Sequence, residues 1–370
     1  YASSLTVNAE KQAVNASFKD GIGNIEINGV ISTGSGHKGT VTINTTDKAQ
    51  SNEEITLKDL AGVTKDLWDL LANKNYYLEA ASGAASTVGS KFTGAGSFTV
   101  LVMNDSAEAL VGKNVVLVLT NGLTITASSK VNAVTVTGSV AYGGNKSAGV
   151  GINTVVNNTV VNAGLGDSAN VNAGGDVNVS ADSDMDRVSI LVAAAVSSAR
   201  GGANGKQFAG DGVVNVFVNN NKTTAAIGQN VTINTTGDIK VTSASKLGYT
   251  GIVGGLAAGG GHGVGASVSV VVINAKTLSE IGKGANITAR NLTVSADAKE
   301  TIVAVIVNGA AATGTNGVAA AVSPAVNVIK SETIAKVGTG NYTLTGAMNV
   351  TAKDATKIVI VSGGAAGSTS

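Results

Sequence analysis

The 370-residue sequence has no cysteine, one proline (Pro324), two histidines (His37 and His262) and only 3% aromatic residues. Without cysteine there are no disulfides, no thiolate catalysis and no Cys-ligated metals. One proline against 49 glycines excludes collagen and Pro-rich disorder. Charge is scarce and balanced: 25 basic and 24 acidic residues make up 13% of the chain. No single-sign field steers it to nucleic acid or anionic lipid. What is present is a 43% hydrophobic content. It consists mainly of Val, Ile, Ala and Leu, small and β-branched residues that suit stacked sheets. The chain begins at Tyr1 with no Met, basic n-region or apolar h-region, and it ends on Gly-Ser-rich residues without an anchor. We read it as a fragment of a longer protein.

Self-similarity is the strongest signal. One element reads VGKN at Val111, LGDS at Leu165, IGQN at Ile227, IGKG at Ile281 and VGTG at Val337. Its glycines, Gly112, Gly166, Gly228, Gly282 and Gly338, are spaced by 54, 62, 54 and 56 residues. A second element follows about a dozen residues later: LTITAS at Leu123, VNVSAD at Val177, IKVTSA at Ile239, LTVSAD at Leu292 and MNVTAK at Met348, with another copy, LTVNAE, at Leu5. Its apolar–polar alternation is the period of a half-buried strand. A third element is an apolar run ending in glycines, and a fourth starts at Gly-Val (Gly149, Gly212, Gly263 and Gly317). The repeat therefore predicts four strand-like pieces joined by Gly and Asn corners. Solenoid coils usually run about 20–45 residues, so this unit predicts two or three coils per repeat. The expected fold is an all-β parallel β-helix, one elongated solenoid over 1–370 with repeats from about residue 94.

The N-terminal stretch departs from this pattern. Leu5 and Leu123 lie 118 residues apart, about two periods, with no clear middle copy. Leu57, Leu60, Val63, Leu67, Leu70 and Leu71 recur at helical spacing. They predict a short helix near 57–73 inside an excursion at 56–80, leaving from one corner of a coil. Leu60, Leu67, Trp68, Leu71, Tyr76 and Tyr77 are its candidate recognition residues. The alternative is a helix that packs down over an apolar face.

Chemistry-bearing clusters are few. His37 and His262 sit in Gly-rich stretches and read as solvated turn residues. Asp182, Asp184 and Asp186 resemble the opening of a calcium loop, but Arg187 and Ala193 stand where the loop needs Gly and Glu, so an acidic turn is the plainer reading. No Ser-His-Asp set, carboxylate cluster or phosphate loop is apparent, and neither a cofactor nor an enzymatic activity is expected. Several Asn-x-Ser/Thr sequons, among them Asn104, Asn157, Asn221 and Asn230, are consistent with Asn turns beside Thr-rich strands or with glycosylation. Leu247–Ala275 carries no Asp, Glu, Lys or Arg, and its period-2 pattern predicts buried strand rather than a membrane span.

The stretch GVGASVSVVVIN from Gly263, followed by SEIGKGANITARNLTVSAD from Ser279, resembles the repeats of fusobacterial leukotoxin and of filamentous-haemagglutinin-type exoproteins. The resemblance covers most of the chain from about Gly94. It implies a right-handed β-helix in a secreted or surface protein of a Gram-negative bacterium. It also implies export through an outer-membrane transporter and adhesion to a protein or glycan receptor on host or bacterial cells. A leukotoxin-like role on host membranes is the alternative, and a polysaccharide-active enzyme a more distant one. The family offers no catalytic residues.

Overall fold

The computed structural model describes residues 5–13, 21–27, 30–32, 41–49, 77–87, 92–197, 207–314 and 316–369, with side chains from residue 92 onward. The described residues form 21 strands in three parallel sheets and no helix. The strands run in chain order as β1 (Leu5–Ala13), β2 (Gly21–Ile27), β3 (Val30–Ser32), β4 (Val41–Ala49), β5 (Tyr77–Thr87), β6 (Thr93–Val111), β7 (Val116–Leu119), β8 (Leu123–Gly143), β9 (Lys146–Leu165), β10 (Asn170–Ala173) and β11 (Val177–Ser197). They continue as β12 (Phe208–Ile227), β13 (Thr232–Thr235), β14 (Ile239–Gly259), β15 (His262–Ile281), β16 (Ala285–Ala289), β17 (Leu292–Ala312), β18 (Val318–Val322), β19 (Ala325–Val337), β20 (Gly340–Leu344) and β21 (Met348–Ser368).

Each coil passes through a long back strand, a short strand and a long front strand, then turns back on itself. The front sheet is ordered β1-β4-β8-β11-β14-β17-β21, the back sheet β18-β15-β12-β9-β6-β2 and the short sheet β20-β16-β13-β10-β7-β3. This corrects the expected coil size. Leu123 pairs with Val177, Val177 with Ile239, Ile239 with Leu292 and Leu292 with Met348, so one repeat is one coil. The strand count changes for the same reason. The second and third elements fuse into one 21-residue strand, such as β8, because alternation continues across the apolar run. Pro324, the sole proline, falls in the gap between β18 and β19, where a ladder strand would need its missing N–H.

The proportions follow. Seven rungs at about 4.8 Å give a stack only ~29 Å high, whereas a 21-residue strand at about 3.3 Å per residue makes each coil ~65–70 Å wide. Each coil is thus broader than these rungs are high.

The middle copy missing from the sequence is VTINTT at Val41. Leu5 pairs with Val41, and Val41 with Leu123. β4 matches the first part of β8, up to Lys48↔Lys130, and β5 matches the rest, from Tyr77↔Ala133. Residues 50–76 are thus inserted within a front strand, not at a corner as expected. The predicted helix, with Leu60, Leu67, Trp68, Leu71 and Tyr76, lies outside the described residues, and Tyr77 opens β5. Nearby, Val134, Val188 and Ile190 point outward from the front sheet, since their flanking residues point inward, and yet they are buried.

The interior has two characters. At the wide end, where all three sheets meet, Leu117, Ile125, Val171, Ile227, Ile233 and Ile239 belong to one apolar cluster at 0–1% exposure. Along the arm, where front and back sheets face each other, Phe217 stacks on Tyr249 with centroids 4.1 Å apart. Around this pair run polar ladders. Asn215 Nδ2 donates to the Tyr249 hydroxyl (2.8 Å), Asn153 Nδ2 to Asn215 Oδ1 (3.0 Å) and Asn221 Nδ2 to Ser245 Oγ (2.9 Å). The back strands of the arm turn most of their valines outward and several Asn and Ser inward: Asn215 and Asn219 are buried, whereas Val214, Val216 and Val218 face out.

Candidate functional site

A groove of about 620 Å³ runs along the stack at the corner between the back and short sheets. Its floor is the column of repeat glycines. A Cβ on Gly166, Gly228, Gly282 or Gly338 would lie 2.6 Å from backbone of the neighbouring coil. Only glycine permits that approach. The ladder continues round the bend: Gly228 N donates to Leu165 O (2.7 Å) and Gly282 N to Ile227 O (2.8 Å). Two residues further on the backbone takes positive φ, at Asn114 (57°), Ser168 (58°), Asn230 (54°) and Gly284 (74°). This accounts for the fourth letter of VGKN, IGQN and IGKG, because Asn and Gly tolerate this region best; Ser168 of LGDS adopts it as well.

The groove walls carry paired charges. Lys113 Nζ lies 3.1 Å from Asp167 and Lys336 Nζ 2.7 Å from Glu280. Gln229 N donates to Asp167 Oδ1 (2.9 Å). This bond and the Lys113 ammonium hold the Asp167 carboxyl below its ordinary range. Along the edge between the short and front sheets, Arg290 bonds Asp238 through Nε (2.7 Å) and an η-nitrogen (2.9 Å), and Asn291 donates at 2.9 Å. Arg290 first, then Asn291, lower the Asp238 carboxyl to about 2. A general acid needs the opposite shift. The position after the repeat glycine reads Lys113, Asp167, Gln229 and Lys283, and the position two before it carries charge only at Glu280 and Lys336, so the groove is mixed in sign.

The sequence-predicted sites are not gathered here. Asp182, Asp184 and Asp186 form no acidic turn. They sit on the outward face of β11, at alternate positions of one strand. Asp184 instead lies between Lys246 (3.0 Å) and Lys130 (3.8 Å). Among the described residues no group of three or more His, Cys, Asp or Glu could hold a metal ion. His262 is not a turn residue but the first residue of β15, and His37 lies outside the described residues. Leu247–Ala275 forms the end of β14, its turn and the start of β15, alternately inward and outward. Among the described residues no helix is long and apolar enough to cross a membrane. The sequon residues Asn157 and Asn221 are buried, and Asn157 donates to the Met185 sulfur, which leaves no room for a glycan.

Sequence reasoning missed the groove charges Lys113, Asp167, Glu280 and Lys336. The signal was their position beside the repeat glycines. It also missed the inward-facing charged groups. Arg187 is fully buried in the arm, with an η-nitrogen 3.2 Å from Asn157 Oδ1. Glu300 accepts from Ser331 and Thr356, both at 3.0 Å. Burial pushes Asp211 up to about 6, and Asn308 Nδ2 donates to it at 3.1 Å.

The class defined by this architecture is the parallel β-helix. No family model, curated protein or solved structure matches this chain.

Proposed function

We propose that this chain is a β-helical scaffold segment of a large secreted or surface-exposed bacterial adhesin, and not an enzyme. The observation that carries this reading is the register-preserving stack of whole repeats, each coil laid on the next over unbroken 20- and 21-residue ladders. Stacked ladders make a rigid body whose outer columns repeat one chemistry along the axis. The wide coil yields broad faces, and adhesion falls to those faces and to the charged groove. The ion-paired carboxylates of that groove favour binding over acid–base chemistry. Residues 56–80, with Trp68 and Leu67, remain the proposed point of receptor specificity.

The test is binding of the purified chain to glycan arrays and to host and bacterial cells, alongside an unrelated β-helix. Binding above that control, weakened by the Lys113→Ala/Lys336→Ala variant or by Trp68→Ala, is expected. Binding equal to the control overturns the adhesive role. Turnover of a polysaccharide overturns the non-enzymatic one.

A further inference from the structure

We infer that the outer face of the back sheet pairs with the same face of a second copy of this chain. The unbroken register places five outward columns across β6, β9, β12, β15 and the β18–β19 pair, from the Gly94–Ala148–Gly210–Val264–Ala320 column to the Val102–Val156–Val218–Val272–Val328 column. Of those outward positions, all are Gly, Ala, Val, Ile, Phe or Pro except Thr154, and none is charged. The next column is a ladder of asparagines: Asn158 donates to Asn104 (2.7 Å), Asn220 to Asn158 (2.8 Å) and Asn274 to Asn220 (3.1 Å). In the last coil this column carries Lys330, and Lys222 and Lys276 stand in the column beyond it.

Two observations select a second copy as the occupant. The first is area. Five strands at about 4.8 Å and nine residues at about 3.3 Å cover roughly 700 Å² of projected face. A typical monomer's largest apolar patch is about 300–600 Å², whereas a standard interface takes about 800 Å² from each partner. The second is spacing: columns repeating at the strand interval interdigitate best with columns of the same interval, as in aligned sheet packing.

Sedimentation and light scattering on the chain, across a concentration series into the high micromolar range, read the state directly. A monomer–dimer equilibrium of the 36.3 kDa chain is expected. Val216→Lys/Val270→Lys breaks it, with circular dichroism unchanged because both side chains point away from the interior. Val216→Thr/Val270→Thr, which keeps shape and strand preference, weakens dimerisation at least about tenfold. Three outcomes overturn the inference: a monomer throughout the series, a dimer indifferent to both variants, or neutral phosphatidylcholine vesicles floating the wild-type chain but not the lysine variant. The last assigns the face to lipid. Loss of the dimer leaves glycan and cell binding through the groove intact, so this inference and the adhesin reading fail separately.

Discussion

The wide end and the arm of each coil are built from the same strands but held together differently. At the wide end three sheets enclose Leu117, Ile233 and their neighbours, which pack as an apolar core. In the arm only two sheets face each other, and Asn153, Asn215 and Asn221 fill the gap with hydrogen bonds. Side-chain parity connects the two regions. A strand alternates with period 2 along its whole length, so the wide end, with most to bury, fixes which face points inward. The arm inherits that parity even where it puts Asn inside and Val outside.

Substitutions separate the two regions, and the largest effect is expected at the glycine corner of the wide end. Gly228→Val places carbon against Asp167 backbone nitrogen 2.6 Å away, which no rotamer relieves. A loss of about 4 kcal/mol or more is expected in urea unfolding. Ile233→Ala in the wide-end core costs about 2–5 kcal/mol. Asn215→Ala in the arm leaves the Tyr249 hydroxyl and the Asn153 amide without this partner and costs about 1–3 kcal/mol. Equal losses for Ile233→Ala and Asn215→Ala would erase the contrast.

A pH series sharpens the comparison, because Asp211 belongs to the arm. Its folded carboxyl titrates at about 6 against 3.8 for the ordinary group. The folded state therefore binds more protons in between, and stability is fullest below the unfolded value and falls as pH rises through 6. The expected loss is at most about 2 kcal/mol after allowance for solvent screening. It is absent in Asp211→Asn, and a wild-type profile flat between pH 4 and 7.5 would contradict it. The smallest effect belongs to the groove: Asp167→Ala changes stability by less than about 0.5 kcal/mol, and salt removes even that.

Much of the fold was legible in the repeat. The glycine spacing located the corners, and the alternation in LTITAS and its copies located the front strands. Coil size was not legible, because nothing within one repeat distinguishes a long strand from two short ones separated by a turn. VTINTT went unread because an insertion interrupts its strand midway. Of the candidate site, the groove glycines were visible as repeat letters. The charges beside them were not, since Lys113, Asp167, Glu280 and Lys336 come from different coils and meet only when the coils stack.

The sequence by itself determined the all-β class, the corners and the repeat unit, because steric rules and alternation act on residues close in the chain. The tertiary structure decided that one repeat is one coil, that Asp182, Asp184 and Asp186 lie along a strand, and that the back sheet turns most of its valines to the outside. Those outcomes depend on which residues stack across offsets of 53–62 positions, and hydrogen bonding between coils sets that pairing.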